Sequence, residues 1–255
     1  MMEIMNRLQN KNILITGASS GIGKECAFSC YEEGAKVHLL GRNERSLKEI
    51  YDQLNDNNNS ISVLDLRDFD KYNDIIEEIV EKFGKIDGFI HSAGYQITLP
   101  ISAMDYKQYI DILEVNTISA FEFIRLISQK KYGNLSGMSI VLIASVMSIV
   151  ADVALTAYCA SKAALVGGAK ALALELANKG IRVNCISPGA ICDTAMTDEL
   201  KNQLSEEEFN KIENKYPLGL GTTEDVSALC MFLLSNESKW ITGQNYILDG
   251  GYSVK

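Results

Sequence analysis

A tyrosine and a lysine stand four positions apart in Tyr158-Cys159-Ala160-Ser161-Lys162. On a helix that spacing puts both side chains on one face. An ammonium beside a phenol favours the phenolate and draws a pKa of about 10 toward neutrality. Proton transfer works best when the pKa approaches the working pH, so the pair has the makings of a general acid/base. The pattern is common among helix-surface neighbours, and its weight comes from its company. Ser145 closes an apolar run, Ile140 to Ala144, thirteen residues upstream of Tyr158. A hydroxyl there would stand at a C-terminal strand end, where open α/β sheets bind their ligands. Tyr158 is the expected catalytic acid/base, with Lys162 and Ser145 beside it.

A second group of residues is built for phosphate. Thr16-Gly17-Ala18-Ser19-Ser20-Gly21-Ile22-Gly23 joins an apolar run to a helical pattern. A dinucleotide fold needs glycine for the tight exit from the strand, for backbone approach to the pyrophosphate, and for helix-on-sheet packing. The helix N-terminus then presents unpaired N–H groups and a positive dipole end. Gly17, Ser19, Ser20, Gly21, Ile22 and Gly23 are the expected contacts. At the end of the next strand, Gly41 fills the slot where a carboxylate would hold a ribose hydroxyl, and Arg42 follows. A guanidinium matches phosphate in a bidentate way, so NADP(H) is the preferred cofactor, with NAD(H) left open.

These groups need a scaffold, and the chain spells one out. Strands are expected at Asn12–Thr16, Lys36–Leu40, Ile61–Leu64, Gly88–His91, Ile140–Ala144, Arg182–Ile186 and Asn245–Leu248. Helical patterns lie between them: Gly23–Glu33, Arg45–Leu54, Tyr72–Phe83, about 104–130, about 157–178 and Asp225–Leu234. The Tyr72–Phe83 pattern has apolar residues at a 3–4 rhythm. Repeated βαβ units give a parallel sheet covered by helices on both faces. We expect a Rossmann-type, doubly wound α/β fold of about seven strands in a single domain over residues 1–255, since no linker composition divides the chain.

Composition narrows the partners. Of 255 residues, 47% are hydrophobic and 22% charged, and the formal net charge is -9. That balance opposes nonspecific nucleic-acid binding. Six cysteines without a CxxC pair, and only two histidines, His38 and His91, point to reduced thiols and no metal. The polar stretch Met1 to Asn12 lacks an apolar signal core, and no long apolar run marks a membrane span. A cytoplasmic protein without a membrane segment is the expectation.

Taken together, the fragments resemble the short-chain dehydrogenase/reductase superfamily over nearly the whole chain, in its TGxxxGIG and YxxxK form. The resemblance adds Asp65-Leu66 as an adenine contact, Ala93-Gly94 after the fourth strand and Asn116 within Glu114-Val115-Asn116-Thr117. It also adds Pro188-Gly189 after the sixth strand and Asp249-Gly250-Gly251 near the C-terminus. It implies that Tyr158 gives a proton to a carbonyl oxygen, that Lys162 holds the nicotinamide ribose, and that Ser145 positions the substrate oxygen. Asn116 would anchor a water in a proton relay, and Ile191 and Thr194 would contact the nicotinamide carboxamide. The implied activity is hydride transfer between nicotinamide and a carbonyl or secondary alcohol.

The chain departs from the family pattern in places. His91-Ser92-Ala93-Gly94 stands where Asn-Asn-Ala-Gly is usual, which predicts an altered local network and leaves the role of His91 open. Ser20 replaces the basic residue of many NADP users. Asp193 fills the usual threonine slot and Thr194 comes one position late, so either could make that contact. A substrate lid is expected over about 195–216, with Leu200, Leu204 and Phe209 on its inner face, or else a plain helical hairpin. Val146, Met147, Ile149 and Val153 would wall an apolar pocket.

The overall look is nearest to 3-oxoacyl-(acyl carrier protein) reductases, so the resemblance implies a small carbonyl or alcohol substrate, free or carrier-linked. Relatives acting on sugars, polyols, steroids or small ketones set the alternatives. The resemblance also implies a homotetramer or homodimer. Rival readings are an NAD-linked alcohol oxidation and a catalytically silent NADP-binding sensor.

Overall fold

The computed structural model describes residues 6–254. Met1–Met5 and Lys255, which belong to the expected domain and its polar start, lie outside the described residues. Seven strands form one sheet: β1 (Asn12–Thr16), β2 (Lys36–Gly41), β3 (Ser60–Val63), β4 (Gly88–His91), β5 (Ser139–Ile143), β6 (Arg182–Pro188) and β7 (Asn245–Leu248). Their spatial order is β3-β2-β1-β4-β5-β6-β7, with every neighbouring pair parallel. Strand order therefore reverses between β1 and β4, and such a switch point opens a crevice at the carboxyl ends of the strands.

The helices are α1 (Gly21–Glu32), α2 (Glu44–Leu54), α3 (Tyr72–Phe83), α4 (Tyr106–Leu113), α5 (Ser119–Ile127), α6 (Thr156–Leu176), α7 (Ala195–Gln203), α8 (Glu206–Glu213) and α9 (Thr223–Leu234). All residues of β1 and β5 are buried, as expected for strands covered on both faces. Alternation along β1 divides the core. Leu14 joins Phe89, Phe123 and Leu165 on one face, whereas Ile13 and Ile15 join Cys26, Val37 and Val226 on the other. Polar starts fix the helices in register: Asn43 caps α2 through the Ser46 N–H, and Asp105 and Thr222 form capping boxes on α4 and α9.

The doubly wound fold agrees with the sequence reading, and the elements differ in detail. Helix α1 begins at Gly21, two residues before the expected start, because the phosphate loop turns into helix immediately after Ser20. Strand β6 runs on to Pro188 by pairing with β7 up to Leu248. The single helix expected over 104–130 is two helices, α4 and α5, joined by a π-helical turn at Glu114–Ile118. Apolar periodicity continues across a π turn, so the pattern conceals it, and such turns gather at functional sites. Asn116 sits within it.

No helix among the described residues is long and apolar enough to cross a membrane, and no group of His, Cys, Asp or Glu among them is arranged to hold a metal. The six cysteines are unpaired.

Candidate active site

A cleft of about 1120 Å³ runs along the carboxyl edge of the sheet, from the β1–α1 loop to Ser145 and Tyr158. At one end lies the glycine loop. Gly17 has φ +70°, and a Cβ there would meet the Ala93 nitrogen at 2.6 Å. A Cβ on Gly23 would lie 2.3 Å from the Gly17 carbonyl oxygen. Both close approaches are backbone on backbone, so nothing flexible can yield. The loop is thus pulled against the end of β4, and the α1 N-terminus opens into the cleft with no acidic residue in its first turn. Ser20 starts α1 without capping it through its side chain and lines the cleft with Ser19, Gly21 and Ile22.

These features fit a dinucleotide phosphate: bare backbone, free N–H groups and a positive dipole end. Gly23→Ala should lose about 1–3 kcal/mol of stability and most dinucleotide binding, because the added methyl must displace the Gly17 carbonyl. Thermal unfolding and a dinucleotide titration check it, and an unchanged variant would show that the loop tolerates expansion.

Beyond the loop, Gly41, Arg42, Asp65, Leu66, Ala93 and Gly94 line the cleft. A Cβ at Gly41 would touch Ser19 and Leu47 at 3.3–3.4 Å, so a carboxylate in this slot would crowd both. The exposed Arg42 makes no ion pair or hydrogen bond through its side chain among the described residues. The Leu66 carbonyl accepts a 2.5 Å hydrogen bond from the Tyr72 hydroxyl. Tyr72 in turn stacks on Phe123, with ring centroids 4.0 Å apart. Core packing thereby sets one wall of the cleft.

At the other end, Ser145 at the close of β5 and Tyr158 and Lys162 on α6 come together on the cleft wall. Lys162 is 4% exposed and donates from Nζ to the Ile143 carbonyl at 2.8 Å. Its burial lowers its pKa to about 8. The ammonium lies 5.9 Å from the Tyr158 ring centroid. Tyr158, also buried, has its pKa raised by desolvation, and the Ser145 hydroxyl bound to the phenol works in the opposite direction. The expected pull of Lys162 toward neutrality is opposed here by burial, which penalises the phenolate, and the lysine spends a donor on Ile143. A phenol kept neutral is a proton donor.

Asn116 is placed differently from the other three. It is fully buried and behind the cleft wall. Its Oδ1 accepts from the Tyr95 N–H at 3.0 Å, and its Nδ2 donates to the Tyr95 carbonyl at 2.9 Å and to Ser161 Oγ at 3.0 Å. Ser161 Oγ then donates to the Tyr158 carbonyl at 2.8 Å. With both amide protons engaged, the side chain is a strut between the Tyr95 loop and α6. The cleft-facing Gly94 lies against both groups, since a Cβ there would be 3.1 Å from Lys162 Nζ and 3.2 Å from Asn116 Oδ1. Sequence reasoning passed over Ser161, which sits inside the Tyr-x-x-x-Lys motif as one of its unspecified positions.

The segment after β6 also lines the cleft. Pro188, Gly189, Ile191 and Thr194 all line it, and the Thr194 methyl approaches Gly21 of the phosphate loop. Asp193 turns away: its carboxylate accepts from the Thr223 N–H at 2.9 Å and hydroxyl at 2.6 Å, fixing the start of α9. Thr194 starts α7 by accepting from the Thr197 N–H. Of the expected inner face of 195–216, Leu200 reaches the cleft, whereas Leu204 and Phe209 do not. Lys201 instead lies over the Phe209 ring at 5.3 Å from its centroid. Met196, Ile212 and Tyr216 take their place, and Val146, Met147 and Val153 complete the apolar wall without Ile149. The break between α7 and α8 rotates the helical faces, which a single amphipathic reading misses.

His91 is buried away from the cleft. Its Nδ1 shares a 2.9 Å hydrogen bond with the Thr16 hydroxyl, tying β4 to β1. Burial first, then the charge of Lys162, lowers its pKa to about 3, so it is neutral at ordinary pH.

A family model described as enoyl-(acyl carrier protein) reductase matches residues 17–253. The chain is 34% identical to the 3-oxoacyl-(acyl carrier protein) reductase of Thermotoga maritima, over 97% of this chain and all of that protein. It is 37% identical to the enzyme of the same name from Rickettsia prowazekii, over 96% of this chain and 97% of that one. Its fold is similar to that of a variant actinorhodin polyketide ketoreductase crystallised with NADPH, with a TM-score of 0.90 and 28% identity over 96% of this chain and 98% of the other.

Proposed function

The chain belongs to the short-chain dehydrogenase/reductase superfamily, and on that premise we propose that it reduces a carbonyl, a 3-oxoacyl thioester first among candidates, at the expense of NADPH. The observation that carries the reading is the meeting of Ser145, Tyr158 and Lys162 at one end of a cleft whose other end is a phosphate loop. The bound cofactor would supply the hydride. Ser145 and Tyr158 offer two hydroxyls to one substrate oxygen, an oxyanion-type contact. Tyr158, held neutral by burial, delivers its proton to that oxygen. Lys162 orients the phenol's surroundings and holds the nicotinamide ribose, and Asn116 positions both through Tyr95 and Ser161. Ile191 and Thr194 fix the nicotinamide face.

Arg42 favours NADPH. Charge-assisted contacts to a phosphate contribute about 1.5–3 kcal/mol, so Arg42→Ala should weaken NADPH binding about tenfold or more and leave NADH nearly unchanged. Fluorescence titration checks this, and tighter NADH binding that ignores the substitution would sink the cofactor reading.

The apolar wall of Met147, Val153, Leu155, Met196 and Leu200 supports an acyl substrate over a sugar. NADPH-oxidation assays over 3-oxoacyl thioesters, steroids, keto sugars and small ketones test it, and a preference for keto sugars overturns the acyl assignment. We read residues 195–216 as a closing lid on the single domain. Exposed Tyr106, Ile110, Ile118 and Leu174 on α4, the π turn and α6 support a homo-oligomer. Six unpaired thiols support a cytoplasmic setting.

A further inference from the structure

Arg67 lies just beyond β3, behind the cleft wall. It grips Asp65 from the backbone and one edge of the guanidinium: the backbone N–H and Nε donate to Oδ1 at 3.0 Å each, and Nη2 donates to Oδ2 at 2.6 Å. Its Nη1 reaches Asp111 on α4 at 2.8 Å. The other Asp111 oxygen accepts a 2.5 Å hydrogen bond from the Tyr95 hydroxyl. Asp65 and Tyr95 line the cleft at the end that holds Arg42, whereas Arg67 and Asp111 back them. Arg42 is near enough for its charge to act on both Asp65 and Tyr95.

This end of the cleft thus sets two guanidinium groups against two carboxylates. Without Arg67 it would hold one cation and two anions. The added negative charge would repel a 2′-phosphate, and Asp65 would be released to compete for Arg42. A ribose hydroxyl carries no charge and would feel the change little.

We propose that Arg67 is a cofactor-selecting residue: by neutralising Asp65 and Asp111 it reserves Arg42 for a 2′-phosphate and so sets the preference for NADP(H) over NAD(H). The inference rests on the reading that this cleft takes the adenosine end of a nicotinamide dinucleotide. The Asp65 carboxyl, held at about 2 chiefly by its hydrogen bonds to Arg67, is the state such neutralisation requires.

Calorimetric titration of the full chain with NADPH and with NADH tests it, together with unfolding curves for every variant. Arg67→Ala should weaken NADPH binding about tenfold and leave NADH nearly unchanged, from the loss of one charge near a partly solvated phosphate. The difference should shrink at high salt, where charges at this range are screened. Arg67→Lys keeps the charge without the fork and should retain most of the preference, whereas Asp111→Asn removes an anion and should shift it toward NADPH. Turnover with reduced nicotinamide mononucleotide, which lacks the adenosine half, should be untouched by both Arg67 substitutions. Equal weakening of both dinucleotides, or a lysine variant as impaired as the alanine one, overturns the proposal and makes Arg67 a strut between β3 and α4. If the unaltered chain binds neither dinucleotide, the underlying functional reading fails and this inference with it.

Discussion

Replacing Tyr158 with phenylalanine should lower turnover by about 10²–10⁴-fold, the range that a positioned general acid contributes. NADPH binding should change little. The ring is buried at 6% exposure, and phenylalanine keeps its packing while removing only the hydroxyl that Ser145 engages. Stopped-flow or steady-state NADPH oxidation, paired with a binding titration, separates the two effects. Retained turnover would show that another group supplies the proton. Lost binding would show that the hydroxyl shapes the cleft instead. A chain that binds NADPH yet turns over nothing, with or without the hydroxyl, would favour the silent sensor.

Lys162→Met should lower kcat/KM by about 10²-fold or more, through loss of a buried cation aimed at the reacting end of the cleft. Burial places the Lys162 pKa at about 8, below the ordinary 10.5. Reduction should therefore hold level at lower pH and decline as pH rises through about 8, where the ammonium loses its proton. Tyr158, raised above the ordinary phenol value, remains protonated across that range and continues to donate. The reverse oxidation needs the phenolate and should rise with pH.

Stability gives an independent reading of the same group. A lysine whose folded pKa lies below its unfolded value binds fewer protons when folded, so Lys162 by itself should add stability from about pH 8 toward about 10.5, against the opposite trend from the buried Cys26 and Cys30 thiols, whose pKa values are raised. Lys162→Met should lack that contribution, so the stability difference between the unaltered chain and the variant should grow over this window. A difference that stays constant with pH, or a reduction limb that does not move, would remove Lys162 from the account.

Much of this molecule was legible along the chain. The doubly wound fold follows from local signals: short apolar runs such as Ile13–Leu14–Ile15, stopped by a glycine turn, read as strands covered on both faces, and 3.6-residue periodicity marks the helices between. The glycine loop was equally legible, because Gly17 and Gly23 occupy sites where a side chain would strike backbone, and that demand is written in residue type. Motif order brought Ser145, Tyr158 and Lys162 to one site before any coordinate did. Two features of the backbone path were not legible. The π turn at Glu114–Ile118 keeps the apolar rhythm of the helix it interrupts, so periodicity cannot report it. Asp193 and Thr194 are neighbours in sequence, and only the arrival of Thr223 turns one away while the other faces the phosphate loop.

The electrostatics depended wholly on the third dimension. From spacing alone Lys162 should acidify Tyr158, and from residue type alone Arg67 is one more surface cation. Burial works against the first, because desolvation penalises the phenolate while the ammonium spends a donor on Ile143. Folding transforms the second, by bringing Asp111 from α4 within reach of the guanidinium that already holds its near neighbour Asp65. Sequence by itself determined which chemical groups this protein owns and the fold that gathers them, since propensity, periodicity and glycine sterics act locally. Tertiary structure alone decided their charge states and partners, because desolvation and Coulomb interaction act through space between residues the chain holds far apart.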